Sequence, residues 1–220
     1  MKKLILTLCS MMALSLSAQQ NNYTTYWNQR ASLFEVLPLC SNDIVFIGNS
    51  ITDGAEWFEL LNNPHIKNRG ISGDISMGIY DRLEPIIKGK PEKVFLLIGI
   101  NDLARGISVD SVATNVARII DRLQAETPAT KIYLQSVLPV TDEKNMFTNH
   151  TARREDIVPL NIRYRQIAAD KNITYIDLYS GFIDPATGKM NLAYSNDGLH
   201  LLGAGYLKWV DIVKPYVEEK

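Results

Sequence analysis

Short apolar runs recur along the chain at residues 44–47, 94–98, 132–137 and 173–178, with a shorter one at 66–68. Runs apolar on both faces suit strands of a parallel sheet covered by helices on either side. Between them the apolar spacing changes to the helical period. Residues 75–87 place Ile75, Ile79, Leu83, Ile86 and Ile87 at that spacing, and residues 109–123 carry Val109, Val112, Val116, Ile119, Ile120 and Leu123 on one stripe, with Ser108 positioned as an N-cap. Residues 157–169 and 204–217 give two further helices, the last with Tyr206, Trp209, Val210, Val213 and Val217. Strand–helix alternation implies right-handed βαβ units. It predicts an α/β fold: a three-layer α/β/α sandwich around a five-stranded parallel sheet of flavodoxin-like order. Two segments interrupt the alternation. Residues 22–42, with Tyr23, Tyr26, Trp27 and Phe34, are expected to form a helix on the sheet. Residues 138–156 are expected to form a long polar loop acting as a lid. Trp57 and Tyr80 are assigned to the core.

The first residues stand apart from this pattern. A basic Met1-Lys2-Lys3, an apolar stretch from Leu4 to Ser17 and Ala18 before Gln19 read as a signal peptide over residues 1–18, with a domain over 19–220. The expected localisation is periplasmic or extracellular, exported from a bacterium, with no stable membrane insertion after cleavage. Cys9 falls in the signal and Cys40 is then alone, so no intramolecular disulfide can form. The 220 residues are 46% hydrophobic and 21% charged with a formal net charge of −1. That composition fits one folded domain with a substantial core, and no long basic run supports a nucleic-acid partner.

Four separated segments fall just after predicted strands or before the last helix, where open parallel sheets bind ligands. Ser50 follows the first strand in Gly48-Asn49-Ser50-Ile51-Thr52. Gly73 follows the second, Asn101 follows the third in Gly99-Ile100-Asn101-Asp102, and Asp197-Gly198-Leu199-His200 precedes the last helix. Serine needs a base within hydrogen-bond reach, which His200 can supply. The other imidazole nitrogen needs an acceptor, and Asp197 is three residues away. The Ser50 and Gly73 N–H groups and the Asn101 amide are candidate oxyanion donors, with Gly70 the rival to Gly73. Asp53, Asp74 and Asp102 are expected to hold the adjoining loops, with Arg69 pairing one of them. His65 lies on the opposite edge and His150 falls in the lid, where it could touch substrate. The three histidines lack metal-ligand spacing, so neither a metal nor a cofactor is expected.

These four blocks, the second running Asn68-Arg69-Gly70-Ile71-Ser72-Gly73-Asp74, resemble the SGNH hydrolase superfamily, or GDSL-type esterases, over nearly the whole mature chain. The nearest likeness is to the platelet-activating-factor acetylhydrolase-like and carbohydrate acetylesterase branch. One departure is Asn49, where the name motif has Asp. The resemblance implies Ser50 as nucleophile, Asp197 and His200 completing a triad, and Ser50, Gly73 and Asn101 forming the oxyanion hole. It implies hydrolysis of small acyl esters, acetyl foremost, with a small-molecule or glycan ester as partner. A lysophospholipase or lipase, a sugar acyltransferase and a non-catalytic glycan-binding module are the alternatives, and oligomeric state is left open.

Overall fold

The computed structural model describes residues 23–219. The predicted signal peptide, residues 1–18, lies outside the described residues. Helix α1 (Thr25–Val36) precedes strand β1 (Ile44–Gly48). One-turn helices α2 (Ser50–Asp53) and α3 (Trp57–Leu60) lead to β2 (Ile66–Gly70). Helices α4 (Ser76–Asp81) and α5 (Glu84–Gly89) lead to β3 (Lys93–Leu97). Helices α6 (Ile100–Ala104) and α7 (Val109–Glu126) lead to β4 (Lys131–Gln135). Helices α8 (Thr148–Thr151) and α9 (Arg154–Asp170) lead to β5 (Thr174–Ile176). After α10 (Tyr179–Phe182) and a two-residue antiparallel pair, β6 (Ile183–Asp184) and β7 (Lys189–Met190), the long α11 (Gly203–Glu218) follows.

The five main strands pair in parallel in the order β2-β1-β3-β4-β5, the predicted arrangement. The chain moves from β1 outward to β2, then crosses back to β3 on the other side of β1. Ligand crevices form at such a reversal, outside the carboxyl ends of the strands. On one face Phe46, Phe95 and Tyr133 stand in register on β1, β3 and β4, with ring centroids 4.6 and 4.4 Å apart. Trp57 stacks on Phe46 at 4.2 Å and meets Trp209 of α11 edge-on at 4.7 Å. The buried Trp209 indole N–H is satisfied by donating to Gln135 Oε1 at 2.7 Å. Helix α7 covers the opposite face between α4 and α9. It begins as its sequence predicts, with Ser108 Oγ accepting from the Ser111 N–H.

Three segments differ from the expectation. Residues 75–87 form two helices: a helix running through Pro85 would lose a backbone donor and press the ring on the Asp81 carbonyl, so the chain turns at Arg82 and restarts. Helix α1 forms, but its buried Ala31 and Phe34 cluster with Ile71, just beyond β2, instead of joining the sheet core. The guanidinium groups of Arg30, Arg69 and Arg82 lie 4.7, 5.0 and 5.8 Å from the Phe34 ring. The segment 138–156 is not all loop. Leu138 and Val140 are buried, α8 adds a turn, and α9 begins at Arg154.

Candidate active site

Gly48, the last residue of β1, pairs with Gly70 of β2 and Leu97 of β3, so the segments after these strands emerge side by side. Asn49 caps α2, its Oδ1 accepting from the Ile51 N–H at 3.1 Å, the capping task that a carboxylate at this position could also perform. Ser50 is the first residue of α2. A helix this short leaves its carbonyls without helical partners, and side chains supply them. Tyr206 OH donates to Ile51 O, Trp57 Nε1 to Thr52 O, and Asn68 Nδ2 to Thr52 O, Asp53 O and Ala55 O, at 2.9–3.0 Å. Asn68 also accepts from the Gly70 N–H at 2.8 Å. It therefore ties the turn carrying Ser50 to β2. This role was missed in the sequence, although an asparagine inside a strand, where the residue is disfavoured, was the available signal.

Asp197, His200 and Ser50 meet across 150 residues of sequence. Asp197 Oδ2 lies 2.8 Å from His200 Nδ1, and His200 Nε2 lies 3.0 Å from Ser50 Oγ. The other Asp197 oxygen accepts from the Leu199 and His200 N–H groups, both at 2.8 Å. Burial pushes the Asp197 carboxyl up, but these hydrogen bonds and the imidazole outweigh it and hold it below its ordinary value. The carboxylate therefore persists at neutral pH and favours the Nδ1–H tautomer, leaving Nε2 free to accept from the serine. Ser195, fully buried, braces this turn by accepting from the Gly198 N–H at 2.9 Å and donating to Asp197 at 3.3 Å. Its position two residues before Asp197, with turn-forming chemistry, was the overlooked sign.

The three candidate oxyanion donors differ in how their N–H groups are engaged. The Ser50 and Gly73 N–H groups donate to no protein acceptor among the described residues. Gly73 has φ +79°, whereas Gly70 spends its N–H on Asn68. Asn101, 8% exposed, donates from Nδ2 to Asp74 O at 2.9 Å, and its Oδ1 lies 2.9 Å from His150 Nε2. One Asn101 N–H is thereby left over. His150 thus meets Asn101, while Phe147 stands edge-on to both His150 and His200, with centroids 5.8 and 4.9 Å away.

The three aspartates brace the loops. Asp53 accepts from Ser72 and Tyr26, Asp74 from Ile75, Trp27 and Arg82, and Asp102 from the Ser76 N–H and hydroxyl. Arg69 donates to Asn68 O, and the arginine that pairs a buried aspartate is Arg82, 2.8 Å from Asp74. Burial pushes the Asp102 carboxyl up to about 6 against these donors. His65 sits at the far end of the sheet beside Asp43. Trp57 is core, while Tyr80 is partly buried beneath the Arg118 guanidinium. Among the described residues, no cluster of His, Cys, Asp or Glu could hold a metal, and no helix is long and apolar enough to cross a membrane. A cavity of about 220 Å³ opens beside Gly73, lined also by Tyr23, Trp27, Asp74, Ile75 and Arg105. A larger one, about 420 Å³ near Tyr133 and Glu219, contains none of these candidate residues.

The profile of the GDSL-like lipase/acylhydrolase family matches residues 46–208, which spans every residue of this constellation. The chain belongs to that family. Like other GDSL-like acylhydrolases, it is a hydrolase of ester substrates. It is 26% identical over 182 residues to platelet-activating factor acetylhydrolase IB subunit alpha2 of Homo sapiens, covering 80% of this chain and 75% of that one. A solved structure described as a putative platelet activating factor from Streptococcus pneumonia is 28% identical, with a TM-score of 0.81 over 87% of this chain and 92% of that one. An acetyl-xylooligosaccharide esterase from Geobacillus shares the fold at 20% identity, with a TM-score of 0.66 over 83% and 96%.

Proposed function

We propose that this GDSL-like acylhydrolase is an exported serine esterase that hydrolyses small acyl esters, acetyl foremost, on a carbohydrate alcohol. The observation that carries the mechanism is the continuous chain from Asp197 through His200 to Ser50, at 2.8 and 3.0 Å. His200 Nε2 takes the Ser50 hydroxyl proton as Oγ attacks the ester carbonyl carbon. The carbonyl oxygen becomes an oxyanion, met by the Ser50 N–H, the Gly73 N–H and the remaining Asn101 N–H. The tetrahedral centre collapses, the C–O bond to the alcohol breaks, and His200 returns its proton to the departing oxygen. Water then attacks the acyl-serine ester, again giving its proton to His200, and the acid leaves as Ser50 is restored. No cofactor takes part.

Acetyl selectivity rests on the acetylhydrolase and acetyl-xylooligosaccharide esterase likenesses. Export rests on the sequence of residues 1–18. The test compares p-nitrophenyl acetate, butyrate and octanoate, followed by acetylated xylo-oligosaccharides, with Ser50→Ala as control. Serine-dependent turnover falling from acetate to octanoate, with acetate released from the sugar, is expected. Faster octanoate turnover would replace this reading with a lipase.

A further inference from the structure

We infer that His150 is a positioning residue of the oxyanion hole, acting through Asn101. The inference rests on the oxyanion role proposed for Asn101. The Asn101 amide must aim one particular N–H at the developing oxyanion, and a single anchor, Nδ2 to Asp74 O, leaves the plane of the amide free to swing about that contact. The second anchor, His150 Nε2 at 2.9 Å from Oδ1, lies across the amide from the first and fixes its plane. Because Oδ1 can only accept, Nε2 carries the proton. Donation into Oδ1 also polarises the amide and strengthens its N–H as a donor, since linked hydrogen bonds reinforce one another.

The surroundings of His150 suit this task. Its Nδ1 is buried and meets no protein partner among the described residues, so the neutral Nε2–H form is the one the site accommodates. Burial, and after it the fields of His200 and Arg105, lower its pKa, which keeps the His150 imidazole neutral at neutral pH. The imidazole is delivered by α8, which lies against α6, the helix that carries Asn101. That turn is closed by the His150 N–H donating to Phe147 O at 2.8 Å and the Arg153 N–H to His150 O at 3.1 Å. Phe147, at φ +52°, spans from His150 to His200, standing edge-on to both imidazoles. The segment between β4 and α9 therefore supplies part of the site's support.

The test is a double-mutant cycle on the full chain with p-nitrophenyl acetate, using His150→Phe, His150→Gln, Asn101→Ala and the Asn101→Ala/His150→Phe pair, each checked for cooperative thermal unfolding. His150→Phe is expected to lower kcat roughly 10- to 100-fold with KM little changed, the scale of a misplaced catalytic group. It should weaken a methyl trifluoromethyl ketone, whose hemiketal oxygen mimics the oxyanion, by a similar factor. His150→Gln, which keeps an N–H within reach of Oδ1, should restore most of that loss. In the Asn101→Ala background His150→Phe should cost nothing more, because its route of action is gone. Multiplicative losses in the double variant, or a change confined to KM, would overturn the positioning role while leaving the esterase reading intact. Wild-type kcat in Asn101→Ala would remove the oxyanion role of Asn101 and the positioning role with it.

Discussion

Gly70 ends β2 and Gly73 lies three residues beyond it, and replacing each with alanine should produce opposite signatures. At Gly70 a Cβ would stand 2.2 Å from Asp53 N, 2.6 Å from Asp53 Cα and 2.8 Å from Thr52 C, all backbone of the turn that carries Ser50. Backbone cannot move aside as a flexible side chain can, so β2 and α2 must separate and the Asn68 bonds stretch. Overpacking of this kind costs about 3 kcal/mol or more. At Gly73 the Cβ would meet nothing within 4 Å, and the penalty is that of a side chain at φ +79°, about 1–2 kcal/mol. For a domain of this size each kcal/mol shifts Tm by roughly 2–4 °C, so Gly73→Ala should melt about 2–8 °C below wild type. The strain is relieved by rotating the peptide, which withdraws the Gly73 N–H from the oxyanion, and kcat should fall roughly 100-fold. Gly70→Ala should melt lower than Gly73→Ala, with its activity loss following the loss of folded protein. Differential scanning calorimetry alongside turnover of p-nitrophenyl acetate reads both. A folded Gly73→Ala with kcat within about threefold of wild type would refute the donor assignment, and a Gly70→Ala as stable as wild type would refute the packing argument.

Other outcomes follow from the same geometry. Asp197→Asn should lower kcat roughly 10³- to 10⁴-fold with little change in KM, because the amide no longer selects the Nδ1–H tautomer of His200; steady-state kinetics checks this. Trp27→Phe removes the 2.9 Å bond from the indole to Asp74 and should destabilise the chain by about 1.5–3 kcal/mol in urea unfolding, since the bond is to a charged acceptor. Asp102 is fully buried with its pKa raised to about 6, so the native state holds its proton more tightly than the unfolded chain. Its contribution to stability is therefore full below about pH 4 and is lost as pH rises through about 6. Asp102→Asn should gain stability relative to wild type between pH 4 and 7, by at most about 3 kcal/mol, in unfolding measured across that range. A difference between the two proteins that does not change with pH would contradict it.

The apolar runs made the sheet legible because a strand buried on both faces leaves a mark that depends on neither side chain detail nor loop shape. Ser50, Gly73, Asn101, Asp197 and His200 could be read for a related reason: each immediately follows a recognisable strand or precedes a recognisable helix. What could not be read was the support. Asn68 holding three carbonyls of the serine turn, Arg82 pairing Asp74 where Arg69 was expected, and His150 reaching Asn101 all depend on the meeting of segments far apart in sequence. The split of residues 75–87 was legible in principle, since Pro85 stands inside the helical pattern. The placement of α1 was not, because its aromatic residues fit a sheet face as well as they fit the Ile71 cluster and the aspartates that Tyr26 and Trp27 bind.

The central claim is that Ser50 becomes covalently acylated. Intact-mass measurement of the chain after treatment with a fluorophosphonate, followed by peptide mapping, tests it directly. One adduct on Ser50, absent from Ser50→Ala together with all ester turnover, is the predicted result. Modification elsewhere, or turnover that persists in Ser50→Ala, would contradict the account.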